Sequence, residues 1–146
     1  MMRLLRNLYH FLLAWLGAVL YGRPSRGIFV LGVTGTKGKS TVVELVNAVL
    51  ESAGRKTALL SSVRVKIGEE SRDNLTDNTM PGRFFIQKFL RDAVEARAEY
   101  AIIEVSSEGV SQYRHRFINF DAALFLNMRP EHIESLLREE MSKETV

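Results

Sequence analysis

The sequence predicts an α/β fold: a P-loop-type, mostly parallel sheet with helices on both faces, preceded by an apolar N-terminal helix. Three observations predict it. Short apolar, β-branched runs recur at 28–33, 100–105 and 122–126, as buried parallel strands do. Segments between them carry apolar residues at helical spacing. A glycine- and lysine-rich loop stands between the first such strand and the first such helix.

The bulk composition is compatible with one domain. A chain of 146 residues can bury a sizeable core, and 46% hydrophobic with 25% charged residues is ordinary for a globular protein. The net charge of +3 is too small to argue for a nucleic-acid partner. With no cysteine there is no disulfide framework and no thiolate metal site, which fits a cytoplasmic protein.

Residues 1–26 are read as a separate helix and turn, and 27–146 as the domain. The stretch 8–21 is almost wholly apolar, broken by His10 and flanked by Arg3, Arg6, Arg23 and Arg26. A spanning helix needs about twenty such residues, so this one is short. A signal peptide is the rival reading, but no small-x-small cleavage pattern follows cleanly. Residues 1–22 are expected to pack on their own or a partner domain, or to lie on the inner membrane face with arginines toward anionic headgroups. Gly22-Arg23-Pro24-Ser25 ends the helix as a turn.

The remaining elements follow in order. After the strand at 28–33, Val42, Val43, Leu45, Val46, Val49 and Leu50 mark a helix over 40–53, stopped by Gly54. A strand is expected over 56–60. Val63, Val65 and Ile67 alternate with Arg64 and Lys66, predicting a half-exposed strand before a turn at Gly68. Residues 69–81 are polar and read as loop. Pro81-Gly82 opens a helix to about Ala98, with Phe84, Phe85, Phe89, Leu90, Ala93 and Val94 inward. Buried strands are expected at 100–105 and 122–126. From Glu131 onward the chain reads as a charged amphipathic helix.

The loop Gly32-Val33-Thr34-Gly35-Thr36-Lys37-Gly38-Lys39-Ser40-Thr41 carries the chemistry. Gly35 and Gly38 allow the backbone to aim several N–H groups at phosphate oxygens, and the following helix adds its positive end. Lys39 supplies a cation for the β- and γ-phosphates, and Ser40 a hydroxyl for Mg²⁺. ATP with Mg²⁺ is the expected ligand. The usual pattern has a glycine where Val33 stands. The rival reading is a glycine-rich turn with a chance lysine.

The loop from Gly35 to Thr41 resembles the Mur ligase and folylpolyglutamate synthetase form of the phosphate loop, which lacks that early glycine. Thr79-Met80-Pro81 is similar to the family's TTP segment. Glu104-Val105-Ser106-Ser107 resembles the EVSS strand end of the UDP-N-acetylmuramoyl-tripeptide synthetase branch. The run from Asn127 to Glu134 resembles that branch's N-x-x-x-D-H-x-D segment.

By resemblance, Gly35, Thr36, Lys37, Gly38, Lys39, Ser40 and Thr41 cradle the nucleotide, with Lys39 on the γ-phosphate. Asn127 lies near the nucleotide. Ser40 or Thr41, Glu104 and His132 serve the metal, and Lys39, Glu104 and His132 are the catalytic set. The resemblance implies an amide-forming ligase of peptidoglycan precursor synthesis, taking a UDP-muramoyl peptide and an amino acid and working through an acyl phosphate. Rival readings are a strand-end salt bridge for Glu104 and a solvent-facing helix residue for His132. Departures from the family are Glu108 in place of histidine, Glu131 in place of aspartate, and Val146 at the position of a family lysine. The family's sugar-binding and amino-acid-binding domains have no counterpart in the chain, so ATP binding without a complete ligase cycle is expected. Alternatives are a folylpolyglutamate synthetase-like ligase, against which the EVSS segment argues, a non-catalytic nucleotide module completed by a partner, and a generic P-loop NTPase.

Overall fold

The computed structural model describes residues 2–76 and 78–128. In chain order they form α1 (Met2–Leu20), a 3-10 turn (Pro24–Arg26), β1 (Phe29–Thr34), α2 (Lys39–Ser52), β2 (Thr57–Leu60), β3 (Arg64–Ile67), β4 (Glu70–Asp73), α3 (Arg83–Glu95), β5 (Tyr100–Val105), α4 (Ser107–Ser111) and β6 (Ala122–Phe125). The strands make one six-stranded sheet in the order β4-β3-β2-β5-β1-β6. β2, β5, β1 and β6 run parallel, while β3 and β4 are antiparallel to their neighbours.

Period-two alternation sorts the strand side chains onto two faces. Val30, Ala58, Leu60, Ala101 and Ile103 pack with Ile86, Phe89, Leu90 and Ala93 of α3. On the opposite face Val33, Leu59 and Ile102 pack with Val43 of α2. Burial on both faces is why these strands read as unbroken apolar runs. α3 in turn carries α1 on its outer side, where Gly17 meets Phe84 and Gln87.

The register positions the site. Phe29 pairs with Tyr100 and Thr34 with Val105, and Leu60 of β2 pairs with Ile103. The C-terminal ends of β1, β2 and β5 therefore finish at one edge of the sheet, where ligand sites form in α/β folds.

Several expectations are corrected. Part of the polar loop over 69–81 is β4, a strand of wholly exposed residues paired to β3 from Ile67–Glu70 to Arg64–Asp73. Backbone pairing, with one side-chain bond from Arg64 to Ser71 Oγ at 3.3 Å, holds it, so its side chains carry no strand pattern. β3 is not half-exposed as expected: Lys66 is only 8% exposed and ion-pairs with Glu51 of α2. Arg64 reaches Glu44 on the same helix, its Nε donating at 2.7 Å. The acids of α2 thus cover the charged face of β3. α3 stops before Ala98 because Arg97 turns left-handed (φ 60) and Ala98 N–H bonds back to Ala93 O at 2.9 Å. β6, expected to be buried, is the sheet's edge among the described residues, with Phe125 63% exposed. The helix expected from Glu131 lies outside the described residues.

The Lys66 hydrogen bond, opposed by burial, holds the Glu51 carboxyl below its ordinary pKa of 4.5. A depressed carboxylate contributes stability that is present above its unfolded pKa and is lost as pH falls through the folded value. Glu51→Gln is expected to cost about 1–3 kcal/mol at neutral pH, less than a fully buried pair because the Glu51 side chain is 40% exposed. It should also flatten the acid limb of stability, as urea unfolding measured across pH will check.

Candidate functional site

β1 ends in Thr34 and the loop 35–38 leads straight into α2. Two glycines shape it. Gly38 caps α2 with φ 85, and a Cβ built there meets nothing within 4 Å, so the concavity is open. Gly35 has φ 147, and a Cβ there would come within 3.1 Å of Leu126 Cβ and 3.2 Å of the Asn127 backbone. Larger residues would be strained at either position.

Asn127 ties the loop to the far side of β1. Its Oδ1 accepts from the Thr36 and Lys37 amides, each at 3.1 Å, and its Nδ2 donates to Lys37 O at 3.0 Å. Those two amides are thus engaged by Asn127. The first turn of α2, with the amides of Lys39, Ser40 and Thr41, supplies the helix-start donors suited to an anion. Lys39 Nζ donates to the carbonyls of Gly35 (2.8 Å) and Thr36 (3.3 Å), which bends the ammonium back over the loop. Thr41 is exposed on the same turn.

Glu104, one residue before the end of β5, is 3% exposed and lies on the α2 side of the sheet. Its Oε2 accepts from Ser40 Oγ at 3.0 Å and from the Ser62 amide at 2.9 Å. Ser62 Oγ lies 2.9 Å from Ser40 Oγ. Since the single Ser40 proton goes to Glu104, Ser62 is the donor in that contact. A hydroxyl and a carboxylate, both hard oxygen donors, thus converge beside the loop. Mg²⁺ favours one or two protein oxygens completed by water and phosphate, so the donor set fits that ion. Among the described residues no three His, Asp or Glu side chains converge as a metal cage.

The structure therefore brings together Gly35, Thr36, Lys37, Gly38, Lys39, Ser40, Thr41, Glu104 and Asn127. His132 lies outside the described residues. Ser62 was missed by the sequence reading; its signal is its place just past the C-terminal end of β2, a strand neighbouring β5. The other motif segments are close by. Met80 and Pro81 are buried, and the Met80 carbonyl accepts from Arg114. Ser106 caps α4, accepting from the Gly109 amide at 3.1 Å. Glu108 sits exposed on the first turn of α4, its carboxylate bonded by Gln112 at 2.9 Å.

A glycine loop between β1 and α2, a lysine and a serine on the helix start, and a buried acid at the end of the adjacent parallel strand define an α/β domain of the phosphate-loop class. Residues 33–143 match the Mur ligase middle domain, and the chain belongs to the Mur ligase family. It is 39% identical over 122 residues to a UDP-N-acetylmuramoyl-L-alanyl-D-glutamate--2,6-diaminopimelate ligase of Syntrophomonas wolfei, covering 84% of this chain and 24% of that protein. A UDP-N-acetylmuramyl-tripeptide synthetase of Roseiflexus is 40% identical over 124 residues, again with 84% and 24% covered. A solved structure of a UDP-N-acetylmuramoyl-L-alanyl-D-glutamate--2,6-diaminopimelate ligase superposes with a TM-score of 0.62 at 26% identity, over 73% of this chain and 21% of that one. The chain thus spans about a quarter of the length of these curated relatives, 24% in both cases.

Lys39 Nζ lies over the loop, where a bound phosphate would take a charge-assisted contact from it. Lys39→Ala is expected to weaken Mg-ATP binding on the order of a hundredfold, with the fold intact. Titration calorimetry on both proteins checks this, and equal affinities would refute the assignment.

Proposed function

We propose that this chain is the ATP-binding part of an ATP-dependent carboxylate–amine ligase of peptidoglycan precursor synthesis, acting in the cytoplasm on a UDP-muramoyl peptide and an amino acid. The observation that carries this reading is the contact between Ser40 at the start of α2 and the buried Glu104 at the end of β5, beside the glycine loop. The tripeptide synthetase and diaminopimelate ligase names of the relatives support this branch over a folylpolyglutamate synthetase.

A carboxylate is a poor electrophile toward an amine. In this ligase class ATP gives its γ-phosphoryl group to the carboxylate, and the amine then displaces phosphate from the acyl phosphate. ADP, phosphate and the amide are the products. The residues of this chain serve the first half of that sequence. Lys39 and the first-turn amides of α2 neutralise and orient the phosphates, and Asn127 keeps the loop in shape. Ser40 and Glu104 would hold Mg²⁺, which supplies charge neutralisation between the phosphates. Ser62 fixes the Glu104 carboxylate through its amide.

Amide formation also needs the acyl phosphate and the amine held at near-attack distance, a placement that accounts for about ten kcal/mol of barrier at most. Among the described residues the side chains of the site are suited to phosphate and metal, and none is placed for the amine. The 146-residue chain by itself is therefore expected to bind Mg-ATP and form no amide. Incubation with ATP, Mg²⁺, UDP-muramoyl peptides and a panel of amino acids, read by mass spectrometry, tests this. An ATP-dependent amide from this chain alone would overturn the division of labour.

A further inference from the structure

α1 is turned the wrong way round for a helix that only packs on its own domain. Its seam against α3 is made of small residues: Ala14, Gly17 and Ala18 are buried, with Gly17 beside Phe84 and Gln87. His10 completes the seam, its Nδ1 2.6 Å from the Arg83 guanidinium. Most of the large apolar residues point the other way, whereas Phe11 rests edge-on against Phe117 and Leu13 is half-buried. Leu5, Leu8, Leu12, Trp15, Leu16 and Leu20 are all exposed, Leu20 by 67%. At 3.6 residues per turn the span from Trp15 to Leu20 covers roughly 140° of the helix circumference. Water is a poor partner for so wide and continuous an apolar face.

Charge identifies what covers it. The chain contains no aspartate or glutamate before Glu44, whereas Arg3, Arg6, Arg23 and Arg26 flank the helix. Arg6, Arg23 and Arg26 are exposed. A helix with basic residues at both ends, an apolar face between them, and Tyr9 and Trp15 exposed along it matches an anionic lipid surface. A protein partner would not require a rim of one sign.

Crossing the bilayer is excluded by the packing. At about 1.5 Å per residue the 19 residues of α1 are nearly as long as a hydrocarbon core is thick. However, one flank of α1 lies against α3, which carries Lys88, Arg91, Asp92 and Glu95. A helix bound along its length to a charged helix cannot be surrounded by lipid. Among the described residues no helix is long and apolar enough to cross a membrane.

We infer that α1 is an in-plane membrane anchor: its exposed apolar face inserts into the headgroup boundary of an anionic bilayer, and its arginines bind the headgroups, holding the domain at the membrane surface. This does not depend on the ligase reading.

The single tryptophan, Trp15, reports on it directly. The full chain is mixed with vesicles of phosphatidylcholine alone, or of phosphatidylcholine with phosphatidylglycerol in equal parts. The expected result is co-sedimentation with the anionic vesicles, a blue shift of Trp15 emission, quenching by brominated lipid, and release by salt. Leu8→Glu with Leu12→Glu, both on the exposed face, should weaken binding on the order of a hundredfold. Matching thermal unfolding of variant and wild type shows that the fold is kept. Unchanged Trp15 emission with anionic vesicles overturns the inference. So does undiminished binding by the double variant, or equal binding to neutral vesicles. A lipid-free dimer that the double variant dissolves also overturns it, since a second copy then covers the face.

Discussion

A carboxylate buried to 3% exposure has to find hydrogen-bond donors, and Glu104 finds them only because β1, β2 and β5 end together. The parallel pairing of β5 with both neighbours brings the Ser62 amide to one side of the carboxylate and the Ser40 hydroxyl to the other. A slip of one residue in β5 would turn Glu104 to the α3 face and empty the edge where the loop sits. The apolar layers on the two faces fix that register. In this sense the core of Ile102, Ile103, Leu59 and Val33 is also the support of the site.

The loop illustrates how little of a proposed phosphate site needs to be charged. Most of its donors are backbone amides, and their direction comes from Gly35, Gly38 and the start of α2. Asn127 does for the loop what a further backbone pairing would do, satisfying amides and a carbonyl that the sharp turn leaves over. Lys39 is held by the loop's own carbonyls, which fixes its ammonium over the loop.

What the sequence revealed follows from how local each signal is. The loop, β1, α2 and β5 depend on neighbouring residues, and apolar runs and helical spacing locate them within a residue or two. β4 was hidden because an edge strand held by backbone pairing leaves no trace in its polar side chains. Lys66 was misread because its partner, Glu51, lies on another element. Ser62 carries no motif; it enters the site through the order of strands in the sheet. Asn127 was placed near the nucleotide by resemblance, while its grip on the loop backbone emerged only from the geometry. Hydropathy located α1, but the direction of its apolar face became visible only once the small-residue seam was seen against α3.

Ser40 and Glu104 are proposed to form the metal side of the phosphate site. Crystals grown with Mn²⁺ and a non-hydrolysable ATP analogue test this most directly, because anomalous scattering locates the metal without reference to the protein. The expected result is a Mn²⁺ peak bonded to Ser40 Oγ and reaching Glu104 directly or through one water, with the triphosphate wrapped by the loop after β1. A metal peak remote from both side chains, or a triphosphate bound away from that loop, would contradict it.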